Sequence, residues 1–233
     1  LVEDVPGTLS EHKEGMLTEK GIAIVVEYLQ MIRDVVGDDM PISVDHFVGR
    51  NLDNMTRQAN ALRPMKLAWI EEPINWTETQ DLKALRHRID TPIATGESMY
   101  SRESFKVLCD HQAVDYVHPD LATAGGILET KLIGDYAEDH GIKLALHYAG
   151  TPVSFMANVH SAAATRNHRA LEFHPDKDGY SRWANMVEST GDNLLTSRGF
   201  APVPDAPGLG IELNMDHIKT VLHPDDESIF AST

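Results

Sequence analysis

The chain has 233 residues, 42% hydrophobic and 24% charged, the balance of a globular protein with a buried core rather than of a disordered or fibrous polypeptide. A formal charge of −16 and an isoelectric point near 5.0 argue against nucleic acid or an anionic membrane surface as a default partner, and no apolar run approaches the roughly 20 residues that span a bilayer. The one cysteine, Cys109, rules out an internal disulfide and suits a reducing cytoplasm.

Residues 3–19 are polar and broken by Pro6 and Gly7, so they read as a long loop, a candidate lid. From Lys20 to Val36 the residues Ile22, Val25, Val26, Leu29, Ile32 and Val36 recur at steps of three and four, which predicts an amphipathic helix stopped by Gly37. Strand and helix then alternate with short links. Strands are expected over 41–45, 67–71, 92–95, 114–118, 143–146 and 169–171. Helices are expected over 52–62, from an N-cap at Thr77 to Ile89, from Ser101 to Asp110, from Gly125-Gly126 to His140, and over 152–166. Cys109 falls in an apolar helical pattern with Phe105 and Leu108, where a buried structural thiol is the better reading than a nucleophile. This alternation predicts a parallel sheet or (β/α) barrel. Residues 1–200 are read as a partial barrel, and the Pro-rich stretch 201–233 as a tail packing back on it, with a short edge strand at 211–213.

Each predicted strand ends in an ionisable residue: Asp45, Glu71, Glu97, Asp120, His147 and Glu172. These recur at intervals of roughly 25 residues, about the length of one βα unit. All six therefore fall at the C-terminal ends of consecutive parallel strands, where a barrel carries its active site. Ala68-Trp69-Ile70-Glu71-Glu72-Pro73 shows how the spacing chooses between neighbours. Successive strand residues face opposite sides. The repeat therefore selects Glu71 for the interior and leaves Glu72 on the outer face or rim, in a polar contact.

Asp45, Glu71 and Glu97 supply oxygen donors without cysteine. That set suits a hard cation, Mg2+ first and Mn2+ second, whereas Zn2+ normally brings nitrogen or sulfur. Asp120 and His147 end the next two strands. A carboxylate beside an imidazole orients the ring and fixes its tautomer, which makes His147 a candidate general base. A buried histidine with one hydrogen bond is the plainer reading of a lone His; three candidate metal ligands nearby weaken it. Cation and base together suit removal of a proton α to a carboxylate.

Val44-Asp45, Trp69-Ile70-Glu71-Glu72-Pro73, Thr95-Gly96-Glu97, His118-Pro119-Asp120, Gly125-Gly126, His147, Glu172 and Pro207-Gly208-Leu209-Gly210 together resemble the mandelate racemase branch of the enolase superfamily. Within it they are most similar to sugar-acid dehydratases of the galactonate dehydratase type. The resemblance implies an enolase C-terminal domain-like TIM-type barrel and dehydration of an aldonate or aldarate to a 2-keto-3-deoxy acid. It implies one Mg2+ on Asp45, Glu71 and Glu97, with His147 and Asp120 acting on the α-proton. Glu172 would meet the substrate carboxylate or enediolate, and His118 is a second candidate for substrate contact. In such dehydratases a histidine two positions after the first metal ligand protonates the leaving hydroxyl. Phe47 stands there in this chain, so the adjacent His46 is the candidate acid, with return of the proton by His147 as the other route. The family pattern also includes an earlier strand and an N-terminal capping domain, neither of which is found, and six strands do not close an eight-stranded barrel. A chain opening on Leu1 is accordingly expected to be part of a longer protein, with the barrel incomplete at its N-terminus. The family usually assembles, so a homo-oligomer is expected. Racemase, epimerase or cycloisomerase chemistry, a non-catalytic metal-binding fragment and an unrelated Mg2+ barrel such as an aldolase are the competing readings.

Overall fold

A computed structural model describes residues 6–7, 12–13, 15–45, 47–174, 185–188, 196–223 and 226. Two short strands, β1 (His12–Lys13) and β2 (Met16–Leu17), pair antiparallel within the segment expected to be loop. The helix α1 (Glu19–Val36) starts where the Thr18 hydroxyl accepts the Gly21 N–H at 3.1 Å and ends at Gly37. Ile22, Val25 and Leu29 form its buried stripe. Arg33 is buried with them, because its guanidinium donates to the carbonyls of Gly37, Met40 and Met65.

The repeating units follow: β3 (Ser43–Val44) and α2 (Leu52–Leu62), β4 (Trp69–Glu71) and α3 (Thr79–Arg88), β5 (Ile93–Thr95) and α4 (Ser101–Asp110). Next come β6 (Tyr116–Val117), with α5 (Leu121–Ala124) and α6 (Ile127–Asp139), then β7 (Lys143–Leu146) with α7 (Pro152–Ala163), and β8 (His168–Leu171). The strands β3 to β8 form one parallel sheet in sequential order, with β3 and β8 at its edges among the described residues. Parallel strands need crossovers, and the helices supply them while covering the outer face. The result is the expected arc of a (β/α) barrel, with Ile70, Ile93, Val117, Leu144 and Leu146 in one continuous core.

Several element ends differ from the sequence reading. Thr77 caps no helix: its N–H and hydroxyl both donate to Asn75 Oδ1, and α3 starts two residues later. Tyr100, not Ser101, is the residue before α4. Asp120 caps the separate turn α5, accepting the Ala122 N–H at 2.8 Å, and Gly125-Gly126 joins that turn to α6. In the C-terminal part, β9 (Val187–Glu188) pairs antiparallel with β10 (Glu212–Leu213), and an unanticipated helix, α8 (Met215–Val221), follows. Ala201, Leu209 and Ile211 pack against a second apolar cluster of Tyr148, Phe155, Met156 and Val159.

Candidate active site

Every parallel strand is short, and each delivers its ionisable residue at its end or within three residues beyond it, Glu71 being the last ladder position of β4 itself. The register Glu71 to Ala94, Thr95 to Val117 and Leu146 to Leu171 holds the strand ends level. Asp120 and His147 form an isolated parallel bridge beyond β6 and β7. A cavity of about 400 Å3 opens at this end, lined among others by Asp45, Trp69, Glu71, His118, His147 and Glu172. No Lys or Arg is among its described lining residues.

His147 sits at the centre of the cluster. Its Nδ1 lies 2.8 Å from Asp120 Oδ2, and its Nε2 lies 3.0 Å from Glu97 Oε2 and 3.7 Å from Glu172 Oε2. Burial by itself lowers the pKa of this ring. The contacts with Asp120 and Glu97 and the charge of Glu172 outweigh that and raise it to about 10. Burial raises Asp120, but the bond to His147 and the Ala122 N–H bring it below the usual carboxylate value.

Glu71 is 9% exposed. Trp69 Nε1 donates to its Oε2 at 3.3 Å, and His118 Nε2 lies 3.1 Å from its Oε1. Burial pushes the Glu71 carboxyl up, and these two neighbours bring it down further than that. The strand reading placed Glu71 inward, and it lines the cavity. Glu72 makes the polar contact expected of it, but buried rather than at an exposed rim. A positive φ of 45° turns it out of strand alternation, it is 5% exposed, and its Oε1 accepts the Gly96 N–H at 2.9 Å. Burial is the main cause that raises its carboxyl to about 7, and the nearby charge of Glu97 adds to it.

Glu172 is held at both oxygens. The Tyr148 N–H donates to Oε2 at 3.0 Å, and His174 Nε2 lies 3.0 Å from Oε1. Sequence reasoning missed both partners, although a histidine two places after a strand-end acid falls on the same side by alternation. Asp45 ends β3 half-buried on the cavity wall. Phe47, two positions after Asp45, is 4% exposed and part of the apolar core. His46 lies outside the described residues.

The structure thus brings Glu71 beside His118, and Glu97, Asp120 and Glu172 around His147. As the side chains stand, no three His, Cys, Asp or Glu among the described residues form a metal-holding group. Glu71 and Glu97 each face an imidazole. The donor chemistry nevertheless fits a hard divalent ion: carboxylates on adjacent strand ends and, among the described residues, no thiolate and no Lys or Arg lining the cavity to neutralise them.

The family described as enolase C-terminal domain-like matches residues 12–217. The chain is similar to a D-xylonate dehydratase of Haloferax volcanii, with 32% identity over 83% of this chain and 46% of the relative. It is also similar to an arabinonate dehydratase of Saccharolobus solfataricus, with 33% identity over 79% of this chain and 48% of the relative. A D-galactarolactone cycloisomerase of Agrobacterium fabrum is 26% identical over 88% and 55%. Among solved structures, a mandelate racemase/muconate lactonizing enzyme-like protein of Rubrobacter xylanophilus superposes with a TM-score of 0.88 and 30% identity, over 96% of this chain and 56% of that one. The chain spans about half the length of these curated relatives.

Proposed function

The chain belongs to the enolase C-terminal domain-like family, and from that premise we propose that it carries the catalytic half of a sugar-acid dehydratase. The substrate would be an aldonate or aldarate and the product a 2-keto-3-deoxy acid. One observation carries the reading: His147, oriented by Asp120 at 2.8 Å, turns its other nitrogen into a ring of strand-end carboxylates. Dehydratase relatives at about a third identity support the reaction class.

Asp45, Glu71 and Glu97 would hold one Mg2+. When bound, the ion would offset the negative charge that grows on the substrate carboxylate as the α-proton leaves. The work of the chain's own groups follows from their geometry. Asp120 accepts from Nδ1, so the tautomer that acts as base carries its lone pair on Nε2. His147 Nε2 takes the proton from the carbon next to the carboxylate. The electron pair of that C–H bond forms the new C=C bond, and the β-hydroxyl leaves with a proton as water. The enol then takes a proton at the β-carbon to give the keto acid. Glu172, fixed by Tyr148 N–H and His174, would meet the substrate carboxylate. With Phe47 in the core, the leaving hydroxyl takes its proton from His147 on the same face or from His46. A ring with its pKa near 10 is an imidazolium at neutral pH, so base action requires that positive charge near Glu97 offset the carboxylate that holds the proton.

A cycloisomerase begins with the same proton abstraction, and the relative of that name keeps this second reading open. Product analysis separates them, since only dehydration releases water and a keto acid. The test of the proposal is His147→Asn in the chain supplied with Mg2+ and a sugar-acid panel. The parent should exchange the substrate α-proton with deuterated solvent. The variant should bind metal and lose exchange by at least about a hundredfold. Exchange that survives the substitution sinks the base assignment.

A further inference from the structure

An apolar cluster lies behind the site, and one of its members is the residue next to the proposed base. Tyr148 follows His147 directly, and its backbone N–H donates to Glu172 Oε2 at 3.0 Å. The same oxygen stands 3.7 Å from His147 Nε2. Whatever fixes the backbone at Tyr148 therefore fixes where Glu172 points. The Tyr148 ring is buried and meets Phe155 of α7 edge-on, with centroids 5.1 Å apart, and its hydroxyl donates to the Gly150 carbonyl at 2.8 Å. Tyr148, Phe155, Met156 and Val159 form the cluster, and Ala201, Leu209 and Ile211 of the C-terminal segment pack against it. Packed side chains pass a displacement on, because there are few voids to absorb it. The segment itself is tightly built. The Gly210 N–H donates to the Pro207 carbonyl at 3.2 Å, and a Cβ on Gly210, whose φ is 71°, would stand 2.3 Å from Pro204 Cγ. The segment is also tied to α7, where His160 Nε2 donates to the Leu209 carbonyl at 3.2 Å.

We propose that residues 201–211 brace the active site: packed on the Tyr148 cluster, they hold the Tyr148 N–H, and through it Glu172, in the position that meets the substrate. Leu209 is then a positioning residue that acts through Tyr148, and no residue of the segment needs to touch substrate. The link to turnover rests on the dehydratase reading above; the hold on Tyr148 does not.

Amide hydrogen exchange, followed residue by residue by NMR, reads the brace without turnover, because it reports how often each N–H opens. The reference is the Ile70 amide in the sheet, which donates to the Pro92 carbonyl at 2.9 Å. Leu209→Ala should speed exchange at Tyr148 about tenfold or more and leave Ile70 unchanged. Leu209→Met, which refills the space, should restore the parent rate. His160→Ala cuts the tie to α7 but leaves the apolar cluster whole, and it should act in the same direction; His160→Gln keeps a donor of similar reach and should restore the rate. This second pair keeps the proposal testable where Leu209→Ala does not fold. In both Ala variants, exchange of the substrate α-proton with deuterated solvent should fall about tenfold or more at unchanged Mg2+ affinity. An unmoved Tyr148 amide in both overturns the brace. Equal acceleration at Tyr148 and Ile70 also overturns it, since the segment would then be a general stabiliser. A faster Tyr148 amide with undiminished α-proton exchange overturns the link to turnover. A parent chain that exchanges no α-proton overturns the dehydratase reading and leaves the amides to decide the brace.

Discussion

At the scale of single residues, burial sets the chemistry more than residue type does. Cys109 on α4 is fully buried, and burial, with Asp110 adding to it, pushes its thiol up to about 12. The thiolate is the reactive form. The native chain should therefore resist a maleimide at pH 8 and react promptly only in denaturant; fast labelling of the folded chain would contradict this. The sequence already favoured a structural thiol here, because Phe105, Leu108 and Cys109 share one apolar stripe. Glu72 shows the opposite case. Alternation placed it on the outer face or rim in a polar contact; it makes that contact, on the Gly96 N–H, but at a positive φ and buried. No pattern of apolar and polar residues encodes that burial, since it depends on the Gly96 amide just past the neighbouring strand, 24 residues on.

At the scale of elements, the helices are seated by close contacts that sequence periodicity does not reveal. Gly134 in the middle of α6 reads as a weak point, since glycine costs a helix about 1 kcal/mol relative to alanine. A methyl group there would stand 2.4 Å from Thr165 Cγ2 and 3.1 Å from Leu144 Cδ2. Thr165 is buried and its hydroxyl donates to the Ser161 carbonyl at 2.7 Å, so it has little room to yield. Overpacking costs about 1–3 kcal/mol, which outweighs the propensity gain. Gly134→Ala should lower the urea midpoint with an unchanged m-value; a higher midpoint would show that α6 shifts freely. The strand β8, an edge among the described residues, adds a pH effect. His168 is partly buried with no hydrogen-bond partner on Nδ1, and burial holds its pKa below the ordinary 6.5. The unfolded chain then binds this proton more readily. The contribution to stability is complete above pH 6.5 and is lost as pH falls through the lower folded value. His168→Gln should flatten that part of the stability curve between pH 7 and 5, measured by chemical denaturation. An unchanged slope would remove His168 from the account.

At the scale of the whole molecule, a chain of charge −16 gathers carboxylates at one end of its sheet, a costly arrangement without a cation. A ligand that binds only the folded form stabilises it by mass action, about 2.7 kcal/mol at a hundred times its dissociation constant. Saturating Mg2+ should raise the melting temperature by several degrees, and Glu97→Gln should remove most of that rise; equal rises in both proteins would place the ion elsewhere. The six-strand count, the strand order and the identity of the strand-end groups were legible in the sequence, because hydrophobic period and βα repeat length are local properties. Thus Asp45, Glu71, Glu97, Asp120, His147 and Glu172 could be named as a set before any coordinates. Beyond the pairing of Asp120 with His147, which the sequence suggested and the structure shows at 2.8 Å, their contacts could not. That His147 faces Glu97, that His118 reaches Glu71, that His174 and the Tyr148 N–H hold Glu172 and that Phe47 fills the core all depend on side chains from separate strands meeting in three dimensions. The sequence alone determined which groups stand at the mouth of the sheet. The tertiary structure decided which of them touch, because a contact across the sheet is fixed by register, twist and backbone angle rather than by spacing along the chain.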